Sequence, residues 1–116
     1  MATTAELNRK LDEAIFSGKA LEAFEEYYAE TVVMQENTDP PWEGKDVNRK
    51  RELEFFATIE AWHGGKVLAA AADGDVSFSE SEMDVTIKGA GRVQMSQVAV
   101  RRWQDGKIVH ERFYHK

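Results

Sequence analysis

From Gly91 to Lys116 the chain reads GRVQMSQVAVRRWQDGKIVHERFYHK, two long alternating runs that meet at Gln104-Asp105-Gly106. This pattern predicts two antiparallel strands closed by a tight turn. The length of the loop decides which side chains share a face. A three-residue loop with Gly106 in the left-handed conformation makes Trp103 and Lys107 the last pair. It sets Ala99 opposite Glu111, Gln97 opposite Phe113 and Met95 opposite His115, with Arg101 diagonal to Glu111. A two-residue Asp-Gly loop sets Val100 opposite Glu111 instead and changes which residues meet. In the three-residue register one face carries a carboxylate, an imidazole and a guanidinium among apolar neighbours.

The chain has 116 residues, enough for one domain that buries roughly two thirds of its unfolded surface. With 42% hydrophobic and 31% charged residues it has the make-up of a globular protein. A net charge of −6 argues against a nucleic-acid partner, which requires a basic face. The basic clusters Arg49-Lys50-Arg51 and Arg101-Arg102 are flanked by acids and read as solvated or paired charges. Cysteine is absent, which excludes disulfides, thiolate nucleophiles and zinc-thiolate sites. The N-terminal MATTAELNRK lacks an apolar leader core, and no run reaches the length of a membrane span. The expectation is a cytoplasmic protein with no membrane partner.

Thr3 and Glu6 form a capping-box pattern, followed by Leu7, Leu11, Ala14 and Ile15 on one helical stripe that Gly18 stops. A second helix is predicted from about Lys19 to Tyr28, and a short strand from Thr31 to Glu36. Pro40-Pro41 enforces a turn. Asp46 is placed as the cap of a third helix whose apolar side is Leu53, Phe55, Phe56 and Ile59, ended by Gly64-Gly65. Strands follow over 66–72 and 76–88 and in the terminal hairpin. The apolar parity of the middle strand switches between Phe78 and Met83, which predicts a bulge or bend there. Helices first and a meander of long strands afterwards give an α+β protein, three N-terminal helices packed on a strongly curved antiparallel sheet.

The order of elements, with GKALEAF (18–24), Tyr28-Ala29-Glu30, Pro40-Pro41-Trp42-Glu43-Gly44 and Trp103-Gln104-Asp105-Gly106-Lys107-Ile108, resembles the nuclear transport factor 2-like superfamily. The resemblance is to its ketosteroid isomerase and SnoaL-like polyketide cyclase branch, and it covers residues 1–116 as a single domain. It implies a cone-shaped α+β barrel with a mostly apolar pocket at the open end, and a homodimer through the outer face of the sheet. Matched by position, the general base of the isomerases corresponds to Glu36, one methylene longer than the family's aspartate. The family's oxyanion-binding tyrosine falls on Leu11 and its protonated aspartate on Ala99, so both of those hydrogen-bond donors are missing and steroid isomerisation is not expected. The same match points Glu111, Phe113 and His115 into the cone. A loose counterpart of the epoxide-hydrolase acid–arginine–acid set is Glu36, Arg101 and Glu111.

The candidate catalytic residues are therefore Glu36, Glu111, His115 and Arg101. Glu36 beside Met34 is a proton acceptor if desolvated, and an ordinary strand-end carboxylate if it faces solvent. Glu111 with Arg101 is either a fork that orients a carbonyl or a structural ion pair. His115 suits acid/base work but is the penultimate residue. His63 adjoins the Gly-Gly pair and His110 lies on the other sheet face. Met34, Trp42, Phe55, Trp62, Met95, Gln97 and Phe113 are expected to line the pocket, with plain core packing as the alternative for most. No histidine pair has ligand spacing and the carboxylates are not grouped, so neither a metal nor a cofactor is expected. The expected function is general acid/base chemistry on a small hydrophobic carbonyl compound: an isomerisation, cyclisation, dehydration or hydration. The alternatives are a non-catalytic binding module for a small apolar ligand, or an interaction protein dimerising through Val98, Val100, Ile108 and Tyr114.

Overall fold

The computed structural model describes residues 2–116. In chain order the elements are α1 (Thr4–Phe16), α2 (Ala20–Tyr27), β1 (Tyr28–Glu36), β2 (Trp42–Glu43), α3 (Lys45–Ala57), β3 (Ile59–Asp73), β4 (Val76–Ile87), β5 (Gly91–Gln104) and β6 (Lys107–His115). The capping box opens α1 as expected: the Thr3 hydroxyl accepts from the Glu6 backbone N–H, and the Glu6 carboxylate accepts from the N–H of Thr3. Gly18, at φ +86°, supplies the left-handed residue after the helix.

The six strands form one sheet in the order β2-β1-β6-β5-β4-β3. All neighbours are antiparallel except β1 and β6, which run parallel, so the sheet is mixed rather than purely antiparallel. Leu11, Ala23, Phe24, Tyr28, Val32, Met34, Trp103 and Ile108 form the core where α1 and α2 meet β1, β5 and β6. The α+β cone inferred from the sequence is therefore the fold observed.

The terminal hairpin takes neither predicted register along its whole length. Asp105 (φ +53°) and Gly106 (φ +77°) form a two-residue turn, and Gln104 pairs with Lys107. A bulge then inserts Val109, because Trp103 faces Ile108 but Arg102 faces His110. From there Arg101 lies directly opposite Glu111, Ala99 opposite Phe113 and Gln97 opposite His115. The bulge restores the parity that the three-residue loop would have given, with each partner displaced by two residues. It also turns Ile108 inward, where it is fully buried, so Ile108 leaves the expected outer dimerisation face.

Four other expectations need correction. The N-cap of α3 is Gly44; Asp46 sits inside the first turn and binds Arg49 at 2.6 Å. Leu53 is half exposed, and α3 is anchored instead by polar groups. Buried Asn48 donates to the carbonyls of Trp42 (3.0 Å) and Gly44 (2.8 Å), and Lys45 donates to the carbonyl of Glu25 (2.9 Å). The helix ends at Ala57, and Gly64-Gly65 lies within β3. There Gly65 makes room for Phe16, since a Cβ would come within 2.8 Å of its ring. Finally, β4 pairs with β5 without interruption, and the irregularities lie in the β3–β4 pairing. Odd-numbered residues of β4 face inward throughout: Ser77 and Ser79 are buried, then Val85, while Phe78 points out. The apparent switch is a change from polar to apolar lining.

Candidate functional site

Between the helices and the inner face of the sheet lies a cavity of about 130 Å³. Engineered apolar cavities of roughly 150 Å³ accept benzene, so the space suits a ring-sized molecule. Of the residues expected to line it, Phe55, Trp62, Met95, Gln97 and Phe113 do so. Met34 and Trp42 do not. Met34 is packed into the core, and Trp42 carries the Arg51 guanidinium over its ring at 3.5 Å.

Arg101 and Glu111 both reach the cavity. The Arg101 Nε donates to Glu111 Oε2 at 2.7 Å, and its Nη1 donates to Asn8 Oδ1 (2.7 Å) and Asp12 Oδ1 (2.8 Å). The Tyr28 hydroxyl donates to the Glu111 carboxylate at 2.7 Å. A second layer fixes the first: Ser79 donates to Asp12 Oδ2, Asn8 Nδ2 to Ser79, Ser77 to Asn8 Oδ1, and the Trp103 indole N–H to Ser77. These residues come from α1, β1, β4, β5 and β6, and all are buried. Burial raises the Glu111 pKa, opposed by the charge and hydrogen bond of Arg101 and by the Tyr28 bond. Burial also pushes the Tyr28 phenol well up, with the Glu111 charge adding to it. Among the described residues no sealed side-chain nitrogen or oxygen lacks a partner. Among the described residues Arg101 Nη2 has no hydrogen-bond partner, and Arg101 lines the cavity.

Glu36 and His115 come together, but outside that cavity. His115 Nε2 lies 2.8 Å from Glu36 Oε2, and Arg51 Nη2 lies 3.8 Å from Glu36 Oε1. They line a wider groove at the rim, whose inner wall of Phe55, Met83, Met95, Gln97 and Phe113 is shared with the cavity. The end of β6 is tied down: the His115 N–H donates to Asn37 Oδ1, and Arg112 Nε donates to the Asn37 carbonyl. The hydrogen bond to Glu36 raises the His115 pKa. His63 contacts the Thr86 hydroxyl on an exposed surface, and partly buried His110 is lowered by desolvation and then by Arg102 and Arg112. Among the described residues no three His, Asp or Glu side chains are grouped to hold a metal ion, and no helix is long and apolar enough to cross a membrane.

The sequence model of the SnoaL-like domain family matches residues 2–115. The chain belongs to the SnoaL-like family. A Mesorhizobium loti protein, provisionally named a SnoaL-like polyketide cyclase and carbohydrate phosphatase, is 30% identical. The match covers 98% of this chain and 100% of that one, with a TM-score of 0.88. A Catenulispora acidiphila protein with a ketosteroid isomerase-like fold, in complex with trimethylamine, is 18% identical over 98% of this chain and 88% of its own (TM-score 0.78). An LEH-like epoxide hydrolase from M. tuberculosis is 17% identical over 97% and 82% (TM-score 0.78). The last two show the fold alone. Among curated proteins none matches the chain.

Within this SnoaL-like cone sequence reasoning overlooked Glu52. It faces the cavity from α3 beside Phe55 and Phe56, and makes no hydrogen bond or ion pair among the described residues. Desolvation, followed by the charge of Glu111, pushes its pKa up to about 7, against the opposing pull of Arg51. A signal was present: Glu52, Phe55, Phe56 and Ile59 have the i, i+3, i+4, i+7 spacing of one helical face. Beginning that stripe at Leu53 hid the carboxylate. Tyr28, Asp12 and Asn8 carried no comparable signal, because only the fold brings them to Arg101.

Proposed function

We propose that this SnoaL-like protein is a pocket enzyme of the general acid/base kind. Its substrate is a small, largely apolar carbonyl compound, and its reaction an isomerisation, cyclisation, dehydration or hydration. One observation carries the reading: Arg101, whose Nη2 has no hydrogen-bond partner among the described residues, lines a cavity otherwise walled mainly by aromatic and aliphatic side chains. A carbonyl oxygen placed there accepts a hydrogen bond from a permanently charged donor. As negative charge grows on that oxygen, a guanidinium already aligned in a dry site stabilises it without reorganising. Glu111, Asp12 and Asn8 hold the fork in place, and Tyr28 fixes Glu111 in turn. Arg101 thus takes over the part of the family's donors that Leu11 and Ala99 lack.

The test requires no knowledge of the natural substrate. Small cyclic ketones and enones are incubated with the protein in D₂O, and deuterium uptake next to the carbonyl is followed by NMR. Uptake faster than in buffer, saturating with ketone, is the expected result. Binding without uptake would sink the catalytic reading and leave a binding module.

A second reading has its own support. The buried cluster sets one guanidinium against the carboxylates of Glu111 and Asp12, with Glu52 nearby, and seven aromatic rings line the cavity. An excess of negative charge among aromatic faces favours a small apolar ammonium ligand. The trimethylamine held by the Catenulispora acidiphila relative is in keeping with that. Titration with trimethylamine, monitored through Trp62, separates the two readings.

A further inference from the structure

We propose that Glu52 is the catalytic residue that removes and returns the proton, a role that rests on the acid/base reading above. The reaction needs a carboxylate that is free to bind a proton and faces the same space as the carbonyl donor. Glu111 is committed to Arg101 and Tyr28, and Asp12 to Arg101 and Ser79. Glu36 is held by His115 and Arg51 at the rim. Glu52 lines the cavity together with Arg101 and has no protein partner among the described residues. Glu52 comes from α3 and Arg101 from β5, and both line the one cavity, which is the size of a small ring.

The step balances without a further reactant. The Glu52 carboxylate takes a proton from the carbon beside the carbonyl. The C–H electron pair moves into the new C=C bond, and the carbonyl pair moves onto oxygen, where Arg101 Nη2 stabilises the enolate. Glu52 then gives the proton back to carbon, at the same position or a conjugated one. A carboxyl titrating near neutrality is suited to both directions, and Glu52 is pushed up to about 7 by desolvation and then by Glu111. The charged and titratable groups around it are Glu111 on β6, Arg101 on β5, Tyr28 and Glu36 on β1 and Arg51 on α3. Because the carboxylate is the active form, exchange rises with pH through a midpoint near 7.

The decisive experiment follows deuterium exchange into cyclohexanone by wild type, Glu52→Gln, Glu52→Asp and Glu54→Gln. Glu54→Gln is a control on an exposed part of the same helix. Glu52→Gln is expected to lose about 100-fold or more in exchange rate while keeping ketone affinity within a few-fold. Glu52→Asp restores part of the rate, and Glu54→Gln matches wild type. The sigmoidal pH profile of wild type becomes flat in Glu52→Gln. If Glu52→Gln exchanges as fast as wild type, the role of Glu52 is overturned and the reaction class stands. If wild type binds cyclohexanone but exchanges nothing above buffer, the reaction class fails and the role of Glu52 falls with it.

Discussion

The floor of the cone and its rim are built from the same kinds of charged group with the signs interchanged, an arginine between two carboxylates at the floor and a carboxylate between two basic side chains at the rim. At the floor Arg101 sits between Glu111 and Asp12, with side chains 5%, 0% and 7% exposed. At the rim Arg51 and His115 flank Glu36, with side chains 27%, 35% and 31% exposed. Water replaces a lost partner readily at the rim and far less readily at the floor, where the side chains are nearly sealed. Like contacts therefore carry unlike energies, and only the floor can hold a charge rigid enough to orient a ligand. Glu52 stands between these extremes, partly buried and, among the described residues, unpaired.

Breaking the floor gives the largest effect. Arg101→Met leaves Glu111 and Asp12 buried without a counter-charge and is expected to cost about 3–5 kcal/mol at neutral pH. Urea unfolding checks this; a loss under about 1 kcal/mol would mean that water reaches the cluster.

Glu52→Gln should act in the opposite direction. The folded-state pKa of Glu52 is raised from 4.5 to about 7, so folding favours its protonated form. The stability linked to that proton is fully present below about pH 4.5 and is lost as pH rises through 7. The glutamine variant escapes this loss and should be more stable than wild type at pH 8, by on the order of 2 kcal/mol, with no difference at pH 4. Thermal melts at both pH values decide it, and equal melting at pH 8 would show that Glu52 is solvated like the rim.

Tyr28→Phe removes one donor from a buried carboxylate that keeps its arginine, so a loss of about 1–3 kcal/mol is expected by denaturant titration. The rim gives the smallest effect. Glu36 raises the His115 pKa, so this pair stabilises fully below about pH 6.5 and fades as pH rises through the folded value. His115→Asn should cost at most about 1 kcal/mol at pH 5 and nothing at pH 9, as measured by chemical denaturation. A larger loss at pH 5 would make the rim a second buried site and undo the contrast.

Some of this was written in the chain. Local rules placed the capping box at Thr3 and Glu6, the stop at Gly18 and the turn at Asp105-Gly106, because each depends on neighbours within a few residues. The alternation of β5 and β6 put Arg101 and Glu111 on one face, since parity survives a two-residue change of partner. The sequence motifs carried the family and its cone. What sequence did not reveal was whatever depends on distant chain. The bulge at Val109 is set by how β6 lies between β1 and β5, and no local residue announces it. Asn8 and Asp12 on α1 meet Ser77 and Ser79 on β4 across about 70 positions, which only packing brings about. Whether a carboxylate is solvated, paired or sheltered alone is likewise a property of its surroundings. The sequence supplied Glu36, Glu52 and Glu111 as like acids; tertiary structure made one a rim contact, one a solitary carboxyl and one a buried clamp, because desolvation and partner distance exist only in the folded chain.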